Sequence, residues 1–412
     1  MSLKITNVTL PDRKGNWNVA IANGYITKIT AELIAEETDE TLDGKGNLLI
    51  PGLVDPHIHL DKALLLDRYP AVAGTFDEAL QKTLEAKSKY TVADIQARAR
   101  KVIEQAIAFG TTAMRAHVEV DPILQLKSIE ALLPLKSEYA WGITLQLAVF
   151  AQEGITNQPG TLNLLKKAMA MGGDVIGSAP YVDPNPQENI RLVFDIAQEF
   201  NCDVDFHLDF LDDDAPLLLP VVIEETKARN WHNRVCLGHM TKLAGLTPKE
   251  LGNFIPQLKA AGIAILALPA TDLYMMARQD THNVRRGVAP VHRLAESGVK
   301  VGLATNNVQN LFTPFGDGDV LKICTLLAQV LQLGTTSSHQ LCLDMATVKA
   351  AEAIGIEDYG VAEGKAADLV LLGVDSASKA IATAPINRII IKKGKITAQI
   401  SVIKKFKQNI KS

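Results

Sequence analysis

Hydrophobic and polar positions alternate differently in different parts of the chain. In the first fifty residues, short alternating runs (ITNVTL, NWNVAIANGYITKIT, NLLI) are broken by the turn compositions DRKG, NG and DGKGN. The same texture returns near the end, in DLVLLG and RIIIKKGKITAQI. Between these regions, apolar and β-branched runs recur at 48–60, 111–120, 142–150, 174–182, 203–210, 234–240, 263–269 and 300–307. Such runs suit strands covered on both faces. The segments that separate them have a helical period, as in VADIQARARKVIEQAIAFG, which ends in glycine, and TLNLLKKAMAMGG, with its Thr near the start. Eight strands alternating with helices over about 260 residues is the arithmetic of a (β/α)8 barrel. The expected architecture is therefore α/β: a TIM barrel at residues 51–358, and a small β-sandwich domain built from both termini, 1–50 and 359–412.

Composition narrows the function classes. With 47% hydrophobic and 21% charged residues over 412 positions, the chain suits an enzyme with a large core. A net charge of −4 offers no electrostatic footprint for nucleic acid or an anionic membrane. The start, MSLKITNVTLPDRKG, lacks an apolar signal segment, and no apolar run is long enough to span a bilayer, so a cytoplasmic location is expected. Cys202, Cys236, Cys324 and Cys342 lack CxxC spacing and are expected as buried, reduced thiols. No phosphate-cradling glycine motif opens a helix.

In such a barrel, chemistry gathers at the C-terminal ends of the strands. In PGLVDPHIHLDK, His57 and His59 are two residues apart and so point the same way. The second strand carries His117 and Glu119, and the third ends near Gln152. The fifth carries His207 and Asp209, the sixth ends at His239, and the eighth ends in Asn306 and Asn307. Imidazoles from His57, His59 and His207 suffice in number for a catalytic metal with one position open to water. A metal there lowers the pKa of that water and polarises the substrate, and a nearby base must move protons.

At these residues the chain resembles the amidohydrolase superfamily, and within it the bacterial cytosine deaminases and N-isopropylammelide amidohydrolases. The motifs that carry the resemblance are PGLVDPHIHLDK, RAHVEV, QLAVFAQEGI, DVDFHLD, LGHMT, ARQDTHNVRRG, FTPFGDGD and YGVAEGKAADLVLL, in order over nearly the whole chain. By resemblance, His57, His59 and His207 bind the metal, His239 lies beside the metal-bound water, and Gln152 meets the edge of the ring. The fourth strand, DVIGSAPYVD, lacks the lysine of two-metal members, so one divalent ion per chain, zinc or iron, is implied.

Two departures stand out. Phe210 occupies the place of the glutamate that shuttles protons in cytosine deaminases. Asn306 occupies the seat of the aspartate that ligates the metal and deprotonates its water. An amide is a neutral, weak ligand and no base near pH 7. N-isopropylammelide enzymes also lack the glutamate and use a second histidine two residues after the metal histidine, where this chain has Asp209. On a regular strand Asp209 shares the face of His207. It is expected as base or auxiliary ligand, or as a partner orienting His239 or Lys62. Phe210, Asn307, Gln152 and Lys62 are expected at the substrate, with Lys62 equally suited to pairing with an acid. His117 and Glu119 are expected to buttress the metal histidines. The run Asp212-Asp213-Asp214 reads as a solvated loop, and Arg285 with Arg286 as either a carboxylate clamp or loop ion pairs.

The expected function is metal-dependent hydrolysis of a C–N bond in a small cyclic amide or amidine, of the pyrimidine or triazine kind. The alternative is a degenerate barrel that binds a small ligand without hydrolysis, because Phe210 and Asn306 replace the usual acids. A small-molecule substrate and a possible homo-oligomer complete the expectation, with no nucleic-acid or membrane partner.

Overall fold

A computed structural model describes residues 2–34, 38–210 and 213–405. The N-terminal strands are β1 (Ser2–Leu10), β2 (Arg13–Ala22), β3 (Tyr25–Thr30), β4 (Glu40–Asp43) and β5 (Leu48–Pro51). Eight strands follow with helices between them: β6 (Leu53–Ile58), β7 (Thr111–Glu119), β8 (Thr144–Ala151), β9 (Val175–Ser178), β10 (Asp203–Leu208), β11 (Val235–His239), β12 (Ala264–Ala267) and β13 (Lys300–Leu303). The chain closes with β14 (Leu369–Leu372), β15 (Arg388–Lys392) and β16 (Lys395–Ile400).

β6 to β13 pair in sequence order, all parallel. The ring closes where Ile58 bridges Asn306. There Asn306 N–H donates to the His57 carbonyl at 2.9 Å, and His59 N–H donates to the Asn306 carbonyl at 2.8 Å. The seam of this TIM barrel thus holds two histidines and the asparagine side by side.

The termini build a separate mixed sheet, ordered β16-β15-β14-β5-β1-β2-β3 with β4 beside β1. Leu3, Ile5, Val19 and Ile21 from its N-terminal strands share one core with Leu49, Leu369 and Leu371. The Asn23-Gly24 turn between β2 and β3 has φ of 53° and 86°, a left-handed pair that asparagine and glycine tolerate and that suits a tight hairpin.

Several boundaries differ from the pattern. The run at 48–60 is two strands: β5 pairs with β14 in the terminal sheet, and β6 pairs with β7 in the barrel. The chain crosses from one to the other at Gly52, where a Cβ would lie 2.1 Å from Thr112 Oγ1. The fourth run stops at Ser178, and Pro180, which has no N–H for the ladder, opens a 3-10 turn (Pro180–Val182). The segment after 359 is not wholly β. A helix at Ala377–Thr383, capped by Ser376, buries Ala377, Ala380 and Ile381 in the barrel's core cluster. Its seven residues are too short for a helical period to stand out. All four cysteines are free and buried. No described helix is long and apolar enough to cross a membrane.

Candidate metal centre and active site

Three ring nitrogens meet at the barrel mouth. His57 and His59, on the seam, each aim Nε2 at Nε2 of His207 on β10, at 3.1 and 3.0 Å. All three residues are at least 98% buried, and their Nδ1 atoms have no hydrogen-bond partner among the described residues. Burial first, then neighbouring positive groups, holds all three well below the usual histidine range, so the rings are neutral. A neutral His207 Nε2 can donate one proton or accept one, so it cannot satisfy both neighbours. A shared cation removes the conflict. Two ligands on a four-coordinate ion at 2.0–2.1 Å stand about 3.3 Å apart, close to the two spacings that meet at His207, while the nitrogens that all lie within 4.8 Å of one another belong to His57, His207 and His239. Asn306, buried and left-handed at φ 61°, faces the same chamber with a partnerless Oδ1. This donor set fits a divalent ion.

Behind the histidines lies a packed layer. The His117 ring centre lies 3.7 Å from that of His57, with the two planes tilted by 32°. Asp205, two residues before His207 and on its face, sits 3.9 Å from His57 Nδ1 and 3.7 Å from His117 Nε2. Arg115 Nη1 donates to its other oxygen at 2.8 Å. Burial pushes Asp205 up to about 6 even so.

His239, at the end of β11, lies with one ring nitrogen within 4.8 Å of those of His57 and His207. Its Nδ1 is 2.7 Å from Asp272 Oδ1, and Asp272 is fully buried on the short helix Pro269–Met275 after β12. The sequence pattern did not single out Asp272. Its only signal is an acid just past a strand mouth, in PATDLYM.

The chamber is lined by His59, Lys62, Gln152, His207, Phe210, His239, Asn306 and Asn307, together with Phe76, Tyr181, Thr271 and Phe312. Of the expected site residues, His57 is not on this lining, although its Nε2 reaches His207, and Asp209 is turned elsewhere. Strand alternation ends at Asp209, whose φ of 47° takes the carboxylate off the face of His207. It accepts instead from the N–H groups of Leu218 and Leu219, at 2.8 and 3.1 Å, at the start of the helix Leu219–Ala228. Burial raises its carboxyl to about 6. Phe210 packs 4.1 Å from the His239 ring, within an apolar cluster that includes Met275, Met276, Leu311 and Phe312. Lys62 both pairs with an acid, Glu119, and faces the chamber. Arg285 pairs with Asp280 at 2.9 Å, and Asp213 pairs with Lys242. Asp212 lies outside the described residues. A wider cleft near Lys242, Arg285 and Arg286, about 590 Å³, contains none of the converging histidines.

The amidohydrolase family profile matches residues 48–401. The chain is 30% identical to the N-isopropylammelide isopropyl amidohydrolase of Pseudomonas sp. (strain ADP), over 97% of this chain and 98% of that protein. The crystal structure of 5-methylcytosine deaminase from Klebsiella pneumoniae, liganded with 5-fluorocytosine, superposes with a TM-score of 0.92 at 30% identity, covering 98% and 99% of the two chains. The N-isopropylammelide isopropylaminohydrolase of Burkholderia multivorans gives 0.85 at 25% identity, covering 97% and 98%.

Proposed function

Because the chain belongs to the amidohydrolase family, we propose that it hydrolyses a C–N bond in a small cyclic amide or amidine, of the pyrimidine or triazine kind. The observation that carries this reading is the approach of His57 and His59 Nε2 to His207 Nε2 beside the His239–Asp272 pair. A single divalent ion, zinc or iron, would supply an acidified water and polarise the substrate.

His57, His59 and His207 would hold the ion, and the unpartnered Asn306 amide oxygen would be available to it as a neutral donor. Asn306 cannot take a proton. That task falls to His239: Asp272 on Nδ1 sets its tautomer and leaves the other nitrogen for the chamber. His239 accepts the proton of the attacking water and returns it to the leaving nitrogen. Gln152 and Lys62 orient the ring, while Phe76, Phe210 and Phe312 exclude bulk water.

The test joins metal content to turnover. Protein purified without added metal should carry about one zinc or iron per chain, and His207→Ala should lose both ion and activity. Asp272→Asn should keep the ion and lower kcat by about 10²–10⁴. Normal turnover in Asp272→Asn would remove His239–Asp272 as the base. An empty centre after reconstitution, with no turnover of cyclic amidines or lactams, would make the protein a small-ligand binder.

A further inference from the structure

Lys62 is the cationic side chain on the chamber wall, and no Asp or Glu is among the described residues lining it. Lys62 Nζ donates to Gln152 Oε1 at 3.1 Å and lies 5.4 and 5.2 Å from the Phe150 and Phe312 ring centres. Its carboxylate neighbour, Glu119, is 3.5 Å away, at the limit of a hydrogen bond. The other Glu119 oxygen is held more closely by Lys87, which is fully buried and also bonds Asp121 and Glu153. Glu119 is thus divided between two ammonium groups and lies nearer the one outside the chamber. An ammonium has three donors, so Lys62 keeps one for a ligand.

Asn306 Oδ1 on the wall has no hydrogen-bond partner among the described residues and is the oxygen that would face the ion. Gln152 Oε1 takes the Lys62 bond, and Asn307 Oδ1 accepts from Asn310 at 2.7 Å. The chamber, whose free volume is about 20 Å³, therefore presents one charged donor and no carboxylate among its described lining residues.

We propose that the chamber selects heterocycles presenting an anionic, oxo-rich edge, such as a deprotonated cyclic imide. Lys62 is the specificity-determining residue, and Lys87 is a positioning residue that keeps Glu119 from neutralising it. The inference rests on the hydrolase reading above and names its substrate class. A ring offering N–H donors or positive charge meets Lys62 with no carboxylate to receive it.

Calorimetric titration of the metal-loaded full chain tests this with three probes of one ring size. Barbiturate is anionic near neutral pH, uracil is neutral with a similar oxo edge, and cytosine has an amidine edge. Barbiturate should bind at least about tenfold tighter than uracil, the effect of one hydrogen bond to a charged group, with cytosine weakest. Lys62→Met should keep its metal and erase the preference, Lys62→Arg should retain most of it, and Lys87→Gln should narrow it. Equal affinities, a preference for cytosine, no binding of barbiturate, or an undiminished preference in Lys62→Met would each overturn the proposal. A protein with metal and turnover but no anion preference loses this inference alone. One lacking both metal and turnover loses the hydrolase reading.

Discussion

Asp209 and Asp272 are buried acids at the same barrel rim, bonded to different kinds of partner. Asp272 meets an imidazole of the chamber, whereas Asp209 meets two backbone N–H groups outside it. The difference predicts different phenotypes. Asp209→Asn should lower stability by about 1–3 kcal/mol, since hydrogen bonds to a charged group are weakened, with metal content and kcat little changed. Thermal melts, metal analysis and kinetics on the one variant check this, and a collapse of kcat at unchanged metal would return Asp209 to the chemistry. Phe210 shows the same local logic: its ring abuts His239 and the apolar cluster, so it gives the chamber an apolar wall.

Among the elements, the crossing from terminal sheet to barrel is a tight joint. Gly52 is pressed against Thr112, which would lie 2.1 Å (Oγ1), 2.3 Å (Cγ2) and 2.7 Å (Cβ) from an added Cβ. Gly52→Ala should therefore cost about 1–3 kcal/mol by overpacking. Thr112→Ala should recover only part of the loss, because its own Cβ remains in place. Chemical denaturation of the two single variants and the double variant measures the coupling. The helix Phe76–Lys87 links two parts of the site, with Phe76 on the chamber wall and Lys87 in the carboxylate cluster. Glu78 fastens its approach by accepting from the N–H groups of Val72, Ala73 and Gly74. The ion pair with Lys82 and these bonds hold Glu78 down to about 2. Its contribution is present above the usual glutamate pKa and is lost as pH falls toward about 2.

For the molecule as a whole, stability should depend on the ion and on pH. Chelation should lower Tm and re-addition restore it, with a shift that grows with metal concentration, because the ion binds the folded state. A Tm insensitive to chelator in protein shown to hold metal would contradict folding-linked binding. Burial, with Glu119 and Asp121 nearby, raises Glu153 to about 8 despite Lys87. The folded chain then holds that proton more tightly than the unfolded one. Stability from Glu153 is full below the ordinary glutamate value and declines as pH rises through about 8. Glu153→Gln should flatten the fall in Tm across that window, and an unchanged slope would show that other groups set it.

Strand alternation is local, so the spacing of His57 and His59 and the order of the eight runs sufficed to place the histidines at one rim of a barrel. The strand pattern also placed His207, His239, Gln152 and the terminal sheet, and the resemblance in the motifs supplied expected roles for those three side chains. Contacts between distant elements were not legible in this way. Asp272 reaches His239 across two strands, and Lys87 draws Glu119 from a helix more than thirty residues away. The direction of Asp209 was hidden for a related reason. One residue past a strand's end, a left-handed φ rotates the side chain off the face that period-two spacing assigns. Faces and order follow from the sequence because they depend on neighbours along the chain. Which acid serves which base was decided only by tertiary packing, which selects among partners the sequence leaves equally far apart.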